Sequence, residues 1–248
     1  MSTSLRNDPV WQARIDLAAA LRWAVRQGLH EGICNHFSLL VPGTRDRILI
    51  NPQGLHWSEV KASDLVMIDP EGNVLEGNHT VEATAYFIHA RIHVNKPTAA
   101  CVLHTHMPFA TSITSIENGR LEYGCTQNGL RFLGRTAYDD DYNGLALDHA
   151  EGDRMCAKLV DADVLFLANH GVIVTGPDVA TAYDDLYYLE RAAQVQIYAQ
   201  WSGKPLKMAD PAVAARTAAQ IAADKTQTGL HFAALKRILD REEPDYAQ

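Results

Sequence analysis

The chain has 248 residues, 47% hydrophobic and 21% charged, with a formal net charge of -8. That balance supplies apolar surface for a substantial core and excludes a disordered chain. Asp plus Glu is 30 against 22 for Lys plus Arg, with no long basic run, which argues against nucleic acid or an anionic membrane as a partner.

Met1 to Pro9 is polar and lacks the apolar core of a signal peptide, and no run approaches the ~20 apolar residues of a membrane span. Asp8-Pro9 reads as a helix N-cap followed by proline in the first turn. Val10, Trp11, Ile15, Ala18, Leu21, Val25 and Leu29 then recur at helical spacing, and Gly28 and Gly32 bracket the end of that helix. His30 to His36 is expected as a turn, Phe37 to Val41 and Arg47 to Ile50 as strands of a hairpin, and Asn51-Pro52-Gln53-Gly54 as another turn. Leu65 to Ile68 and Val74-Leu75 flank a Pro- and Gly-containing loop. Thr80 is placed to cap a helix that stops before Pro97. A strand ends at His106, and Pro108 opens a short helix toward Ile116. Gly119 to Gly144 is irregular in pattern. Asp148 and Asp178 are placed to cap two further helices, around apolar strands at Val164 to Ala168 and Val172 to Thr175. Two weaker helices follow, about Pro211 to Asp224 and Leu230 to Arg241. Strands between helices, several in hairpins, predict an α/β fold with a mixed or antiparallel sheet and helices on its faces. One domain over 1–248 is expected, with a core at about 10–202 and a C-terminal helical tail at 203–248.

Chemistry concentrates at Cys101-Val102-Leu103-His104-Thr105-His106, where a short apolar run ends in two histidines. On a strand the side-chain period is two, so His104 and His106 face the same way. His170, in Leu165 to Gly171, ends a second apolar run, and Gly171 permits a sharp turn there. Three histidines would leave a coordination position open on a metal ion, as catalysis requires. Among 11 histidines a chance pair is the rival reading. Cys34, Cys101, Cys125 and Cys156 are scattered without CxxC spacing, which predicts reduced thiols and a cytoplasmic location, with Cys101 as core filler.

The order of these pieces resembles the class II aldolase/adducin family, which includes the fuculose- and ribulose-phosphate aldolases and epimerases. The resemblance runs from about residue 10 to 202. It rests on Gly32-x-x-Asn35-x-x-Ser38, Asn51-Pro52-Gln53-Gly54, Lys96-Pro97 before His104-Thr105-His106, Ala168-Asn169-His170-Gly171, and the long helix that follows. It implies a three-layer α/β/α fold about a mainly antiparallel sheet, usually assembled as a homotetramer with sites at subunit boundaries. It also implies that His104, His106 and His170 bind a divalent metal, most commonly Zn2+, with Mn2+, Fe2+ or Co2+ as alternatives. Asn35 and Gly54 fall where the sugar-phosphate enzymes hold the substrate's phosphate; for Asn35 the rival role is a turn residue tolerant of unusual backbone angles.

Two departures narrow that expectation. The helix position that carries the catalytic glutamate in the sugar-phosphate aldolases is Ala85 here, and the phosphate-loop serines become Ala83 and Thr84. Glu82, one helical turn before Ala85, is a candidate carboxylate from a shifted place, or a first-turn glutamate favoured by the helix dipole. The chain is therefore more similar to the adducin-like branch of decarboxylases and aldolases of unphosphorylated substrates. Arg131 or Arg135 is a candidate partner for a substrate carboxylate, and Tyr123 or Tyr138 for protonating a carbanion, with packing as the rival role of all four. His89 and His93, four apart on one helix, either line the site or are satisfied core histidines. The expected activity is a metal-dependent carbon–carbon lyase acting through a metal-stabilised enolate on a small hydroxy or keto acid. A non-haem iron oxygenase, a sugar-phosphate aldolase or epimerase, and a non-catalytic adducin-like module are the rivals.

Overall fold

The structure, a computed structural model, describes residues 8–224 and 226–248. The reading of Met1 to Asn7 as a polar segment without a leader core lies outside the described residues. Eight strands form one sheet: β1 His36–Leu40, β2 Ile48–Ile50, β3 Val66–Ile68, β4 Val74–Glu76, β5 Cys101–Thr105, β6 Thr136–Asp139, β7 Val164–Leu167 and β8 Gly171–Gly176. Their order is β4-β3-β2-β1-β5-β8-β7-β6. Every neighbouring pair is antiparallel except β6 and β7. The helices are α1 Pro9–Arg26, α2 Ala83–Asn95, α3 Pro108–Thr114, α4 His149–Lys158, α5 Val179–Gln200, α6 Pro211–Ala223 and α7 Gln227–Glu242. The one parallel pair follows from α4, which joins β6 to β7 as a crossover, the connection that parallel neighbours require.

Strand alternation divides the core into two layers. Cys101 and Leu103 of β5 join Leu17 and Leu21 of α1, Ile113 of α3, Leu186 of α5 and Leu235 of α7 on one face. Val102 points the other way and packs with Ile88 and Ile92 of α2 and Met155 of α4. Ile48, Ile50, Val66 and Ile68 extend that second layer against Ala85 and Ala90 of α2. Helices thus cover both faces, which is the expected three-layer α/β/α arrangement. It also explains why β5, β7 and β8 are buried along their whole length and read as continuous apolar runs.

The anticipated caps are present: Asp8 accepts from Val10 N–H, Asp148 from Glu151 N–H and Asp178 from Thr181 N–H. Near α2 the structure departs from expectation. Thr80 stays in the preceding loop, where its hydroxyl donates to Gln53. The helix starts at Ala83, and Glu82 is its N-cap residue with extended backbone (φ -69°, ψ 140°) and no capping bond from its side chain. Glu82 thus enters the first turn only through its carbonyl, which accepts Tyr86 N–H at 3.3 Å, and Ala85, three residues on, is buried against the sheet. Strand β6 arises in the stretch expected to be irregular. Its pattern is weak because it is an edge strand of mixed polar and aromatic residues, held by β7 and by the ion pair of buried Asp139 with Arg154 of α4. At the C-terminus, α7 buries Phe232, Leu235 and Leu239, and the short turn after it supplies Glu243 and Asp245 to buried Arg22 at 3.0 and 2.9 Å.

Gly171 has a role other than the expected turn. The left-handed residue there is Asn169 (φ 55°). Gly171 opens β8 so close to β5 that an added Cβ would lie 2.4 Å from the Thr105 carbonyl oxygen and 2.9 Å from His106 Cδ2. The substitution Gly171→Ala is expected to lower stability by about 1–3 kcal/mol through overpacking, read as a reduced urea midpoint.

Candidate metal centre

Antiparallel pairing brings the three histidines together. In β5, His104 has the parity of Val102 and so faces the α2/α4 layer, opposite His36 of β1 and Ile173 of β8. His106 lies one residue beyond the strand. His170 sits in the β7–β8 turn, after the left-handed Asn169. The His170 ring centroid is 4.7 Å from that of His104 and 4.8 Å from that of His106. One ligand atom from each of the three lies within 4.8 Å of the others.

Hydrogen bonds assign the tautomers of two of these rings. His104 Nδ1–H donates to the Val172 carbonyl at 3.0 Å, and His106 Nδ1–H donates to Glu31 Oε2 at 2.5 Å. In their neutral forms both rings then carry a bare lone pair on Nε2, and these two atoms are 3.2 Å apart. Two facing lone pairs repel unless a cation lies between them, and two nitrogens about 2.0–2.1 Å from a tetrahedral zinc are separated by roughly 3.3 Å. The donor set therefore fits a divalent ion. Burial, with His170 and His106 nearby, pushes the His104 pKa well below its usual value, and burial with His106 and His36 brings His170 to about 4. Both stay neutral near pH 7, as metal ligation requires.

The histidines open onto a cavity of about 450 Å3 whose walls include Glu31, Asn35, His36, Glu82, Thr84 and Ile88. Glu82 Oε2 accepts from His36 Nε2–H at 2.7 Å and Oε1 accepts from Thr84 Oγ1–H at 2.9 Å. The His36 bond is the main reason that its carboxyl is held below the ordinary range, against partial burial. Asn35 (φ 80°) also lines the cavity, and its Oδ1 accepts from His106 N–H at 3.4 Å. Asn51 supports that turn by accepting Phe37 N–H at 2.9 Å.

Beneath His36, a buried hydrogen-bond series ties β1 to α2. The Ala99 carbonyl takes the Nδ1–H of His93 (2.9 Å), so His93 Nε2 accepts the Ser38 hydroxyl hydrogen (2.7 Å) and Ser38 Oγ accepts His89 Nδ1–H (2.6 Å). His89 and His93 are thus core histidines and do not line the cavity.

Other sequence candidates lie elsewhere in the chain. Gly54 adopts φ +86° in its turn and is not part of the cavity wall. Arg131 bonds Asp184, and Arg135 bonds Asp185 and Asp163, joining α5 to the segment before β6. Tyr138 shares the sheet face of Phe166, in the layer opposite His104, and bonds Tyr123 at 3.3 Å. Burial and then Tyr123 push the Tyr138 pKa up, making it a weaker proton donor. Within one chain, none of these four side chains reaches the cavity. Cys101 is buried, and burial pushes its thiol pKa well up, consistent with a core filler. Sequence reasoning misses His36 and Glu31, and it marks Thr84 only as a departure from the phosphate-loop serines. One signal was available for His36: Asn35-His36 repeats the Asn-His pair of Asn169-His170, and both asparagines have positive φ.

The fold, with three histidines converging at one end of its sheet, is that of the class II aldolases. The family model for the class II aldolase and adducin N-terminal domain matches residues 15–197, and the chain belongs to that family. A Pseudomonas aeruginosa chain named for the class 2 aldolases is 35% identical over 244 residues, covering 96% of this chain and 93% of its own. The decarboxylase NovR of Streptomyces niveus is 29% identical over 237 residues, covering 93% and 84%. The crystal structure of an aldolase II superfamily protein from Pseudomonas syringae superposes with a TM-score of 0.91 at 34% identity, covering 99% of this chain and 100% of that one. Among the described residues, no helix is long and apolar enough to cross a membrane.

Removing the acceptor of the His106 Nδ1–H frees that ring to turn or change tautomer. Glu31→Ala is expected to weaken zinc binding by about 10–100-fold, measured by chelator competition, with the metal-free melting temperature unchanged. Stability should also depend on pH. Burial holds His93 near a pKa of about 4 against 6.5 for an ordinary histidine. Between those values the unfolded chain binds the extra proton, so this contribution is complete above about pH 6.5 and is lost as pH falls toward about 4. Urea midpoints of the metal-free protein should fall from pH 7 to pH 5, and His93→Gln should flatten that slope.

Proposed function

We propose that this protein is a metal-dependent carbon–carbon lyase, an aldolase or decarboxylase of small hydroxy or keto acids without a phosphate. The observation that carries this reading is the convergence of three imidazoles on a cavity that also holds an ionised carboxylate, Glu82. His104, His106 and His170 would hold the ion, with zinc as the first choice and manganese, iron or cobalt as alternatives. Bound there, a divalent ion supplies Lewis-acid stabilisation of the negative charge left on a substrate oxygen when the bond breaks.

The chain's own groups do the rest. Glu82 is held as a carboxylate by His36 and Thr84, so in aldol cleavage it starts as a base, taking the proton of the substrate hydroxyl and returning it to the carbon left behind; in decarboxylation the carboxyl group leaves as carbon dioxide and Glu82 relays the replacing proton from water. Asn35, beside His106, is placed to donate to a substrate oxygen. No Lys or Arg is among the described residues that line the cavity, so a phosphate would lack charged partners there. That supports an unphosphorylated substrate over a sugar phosphate, and the decarboxylase among the relatives supports decarboxylation as one of the two reactions. Three histidines without a carboxylate ligand do not favour the iron oxygenase alternative. A cytoplasmic homo-oligomer, a tetramer by family expectation, is the form this reading takes.

Release of carbon dioxide or aldehyde from a panel of hydroxy and keto acids tests the proposal. Activity should disappear when a chelator removes the metal and return with zinc or manganese; turnover by protein shown to be metal-free would sink the reading. Glu82→Gln should lower kcat by about 10²–10⁴-fold while bound metal stays constant.

A further inference from the structure

The cavity beside the histidines has a wall with no part in the chemistry above. Ile88 of α2 meets the segment between β6 and α4, which contributes Tyr142, Gly144, Leu145 and Ala146. Ala146 is buried in the core layer with Ile88, Leu167 and Ile173, so this segment is anchored at the cavity rather than hanging free. Its neighbours do the opposite: Leu145 is 72% exposed and Tyr142 53%. Large apolar side chains held open at the rim of a mainly apolar cavity suit an apolar group of a ligand.

Size and charge point the same way. A three-carbon hydroxy acid has about six heavy atoms and, at roughly the 30 Å3 of a liquid water for each, fills on the order of 180 Å3. The cavity, at about 450 Å3, leaves most of its room for something else. With no Lys or Arg among the described lining residues, that remainder has no counter-charge for a second anionic group.

We propose that the substrate carries an uncharged apolar body, aliphatic or aromatic, joined to its chelating oxygens, and that Ile88, Tyr142 and Leu145 select it. The chelating head rests on the lyase reading above; the apolar body rests on this wall. Tyr142 and Leu145 act on binding and take no part in proton transfer.

Zinc-loaded protein is titrated by calorimetry with acetohydroxamate and with benzohydroxamate. The two present the same chelating oxygens and differ only in methyl against phenyl, and each affinity is normalised to that for aqueous zinc. A phenyl ring adds on the order of 100 Å2 of apolar area, and burying half of it makes benzohydroxamate roughly tenfold tighter. Leu145→Asp should erase that preference while leaving acetohydroxamate binding and the melting temperature unchanged, because Leu145 packs against little. Equal affinities in the unsubstituted protein overturn the apolar body and leave the lyase reading standing. A preference that survives in the Leu145→Asp, Tyr142→Ala double variant overturns the assignment to this wall. Failure of both hydroxamates to bind protein with confirmed zinc overturns the open metal site, and the lyase reading with it.

Discussion

The centre depends on one close approach of two backbones. Gly171 passes so near the Thr105 carbonyl and the His106 ring that no side chain fits between them. That contact lets β8 start beside the end of β5, and it brings His170, one residue earlier, against His104 and His106. Asn169, in the left-handed region, turns the chain just before. A non-glycine residue with positive φ costs free energy and persists only where the surroundings enforce it. Here the enforcing elements are the fully buried strands on either side.

Hydrogen bonds then convert proximity into chemistry. An imidazole presents a proton or a lone pair, depending on what its other nitrogen meets. The Val172 carbonyl and the Glu31 carboxylate each take an Nδ1 hydrogen, so His104 and His106 turn lone pairs toward each other. The same logic runs through the core, where the Ala99 carbonyl sets the roles of His93, Ser38 and His89 in turn. That series pins α2 to β1. Because Glu82 stands at the start of α2 and His36 at the start of β1, it also holds the cavity's carboxylate at bonding distance from its partner. Burial keeps His89, His93 and His104 neutral at a cost in acid stability, and for His104 that is the condition for cation binding near neutrality.

Much of this was legible in the chain itself. Period-two spacing placed His104 and His106 on one side, turn residues marked the strand ends, and Asp8, Asp148 and Asp178 announced three helices. What failed was local. Thr80 has the residue type of a cap, but its hydroxyl is engaged by Gln53 across a loop, so α2 starts later, with Glu82 as its N-cap residue. Strand β6 had no periodic signal because Ala137 and Tyr138 pack into opposite layers, while its polar ends are answered from elsewhere, Thr136 by Tyr123 and Asp139 by Arg154 of α4. Arg131 and Arg135 have the residue type of substrate clamps, yet their partners Asp184 and Asp185 lie 53 and 50 positions along, on α5, where no local pattern advertises them.

The sequence by itself determined most of the elements, the shared face of His104 and His106, and the identity of the three histidines, because those follow from side-chain periodicity and from motifs in a fixed order. Only the tertiary structure decided which atoms of those histidines are free, which carboxylate shares their cavity, and which tyrosines and arginines do not. Each of these depends on contacts between residues far apart in the chain: Glu31 with His106, His36 with Glu82, Gly171 with Thr105. Such contacts are set by how strands register and helices pack, and a one-dimensional pattern carries no record of them.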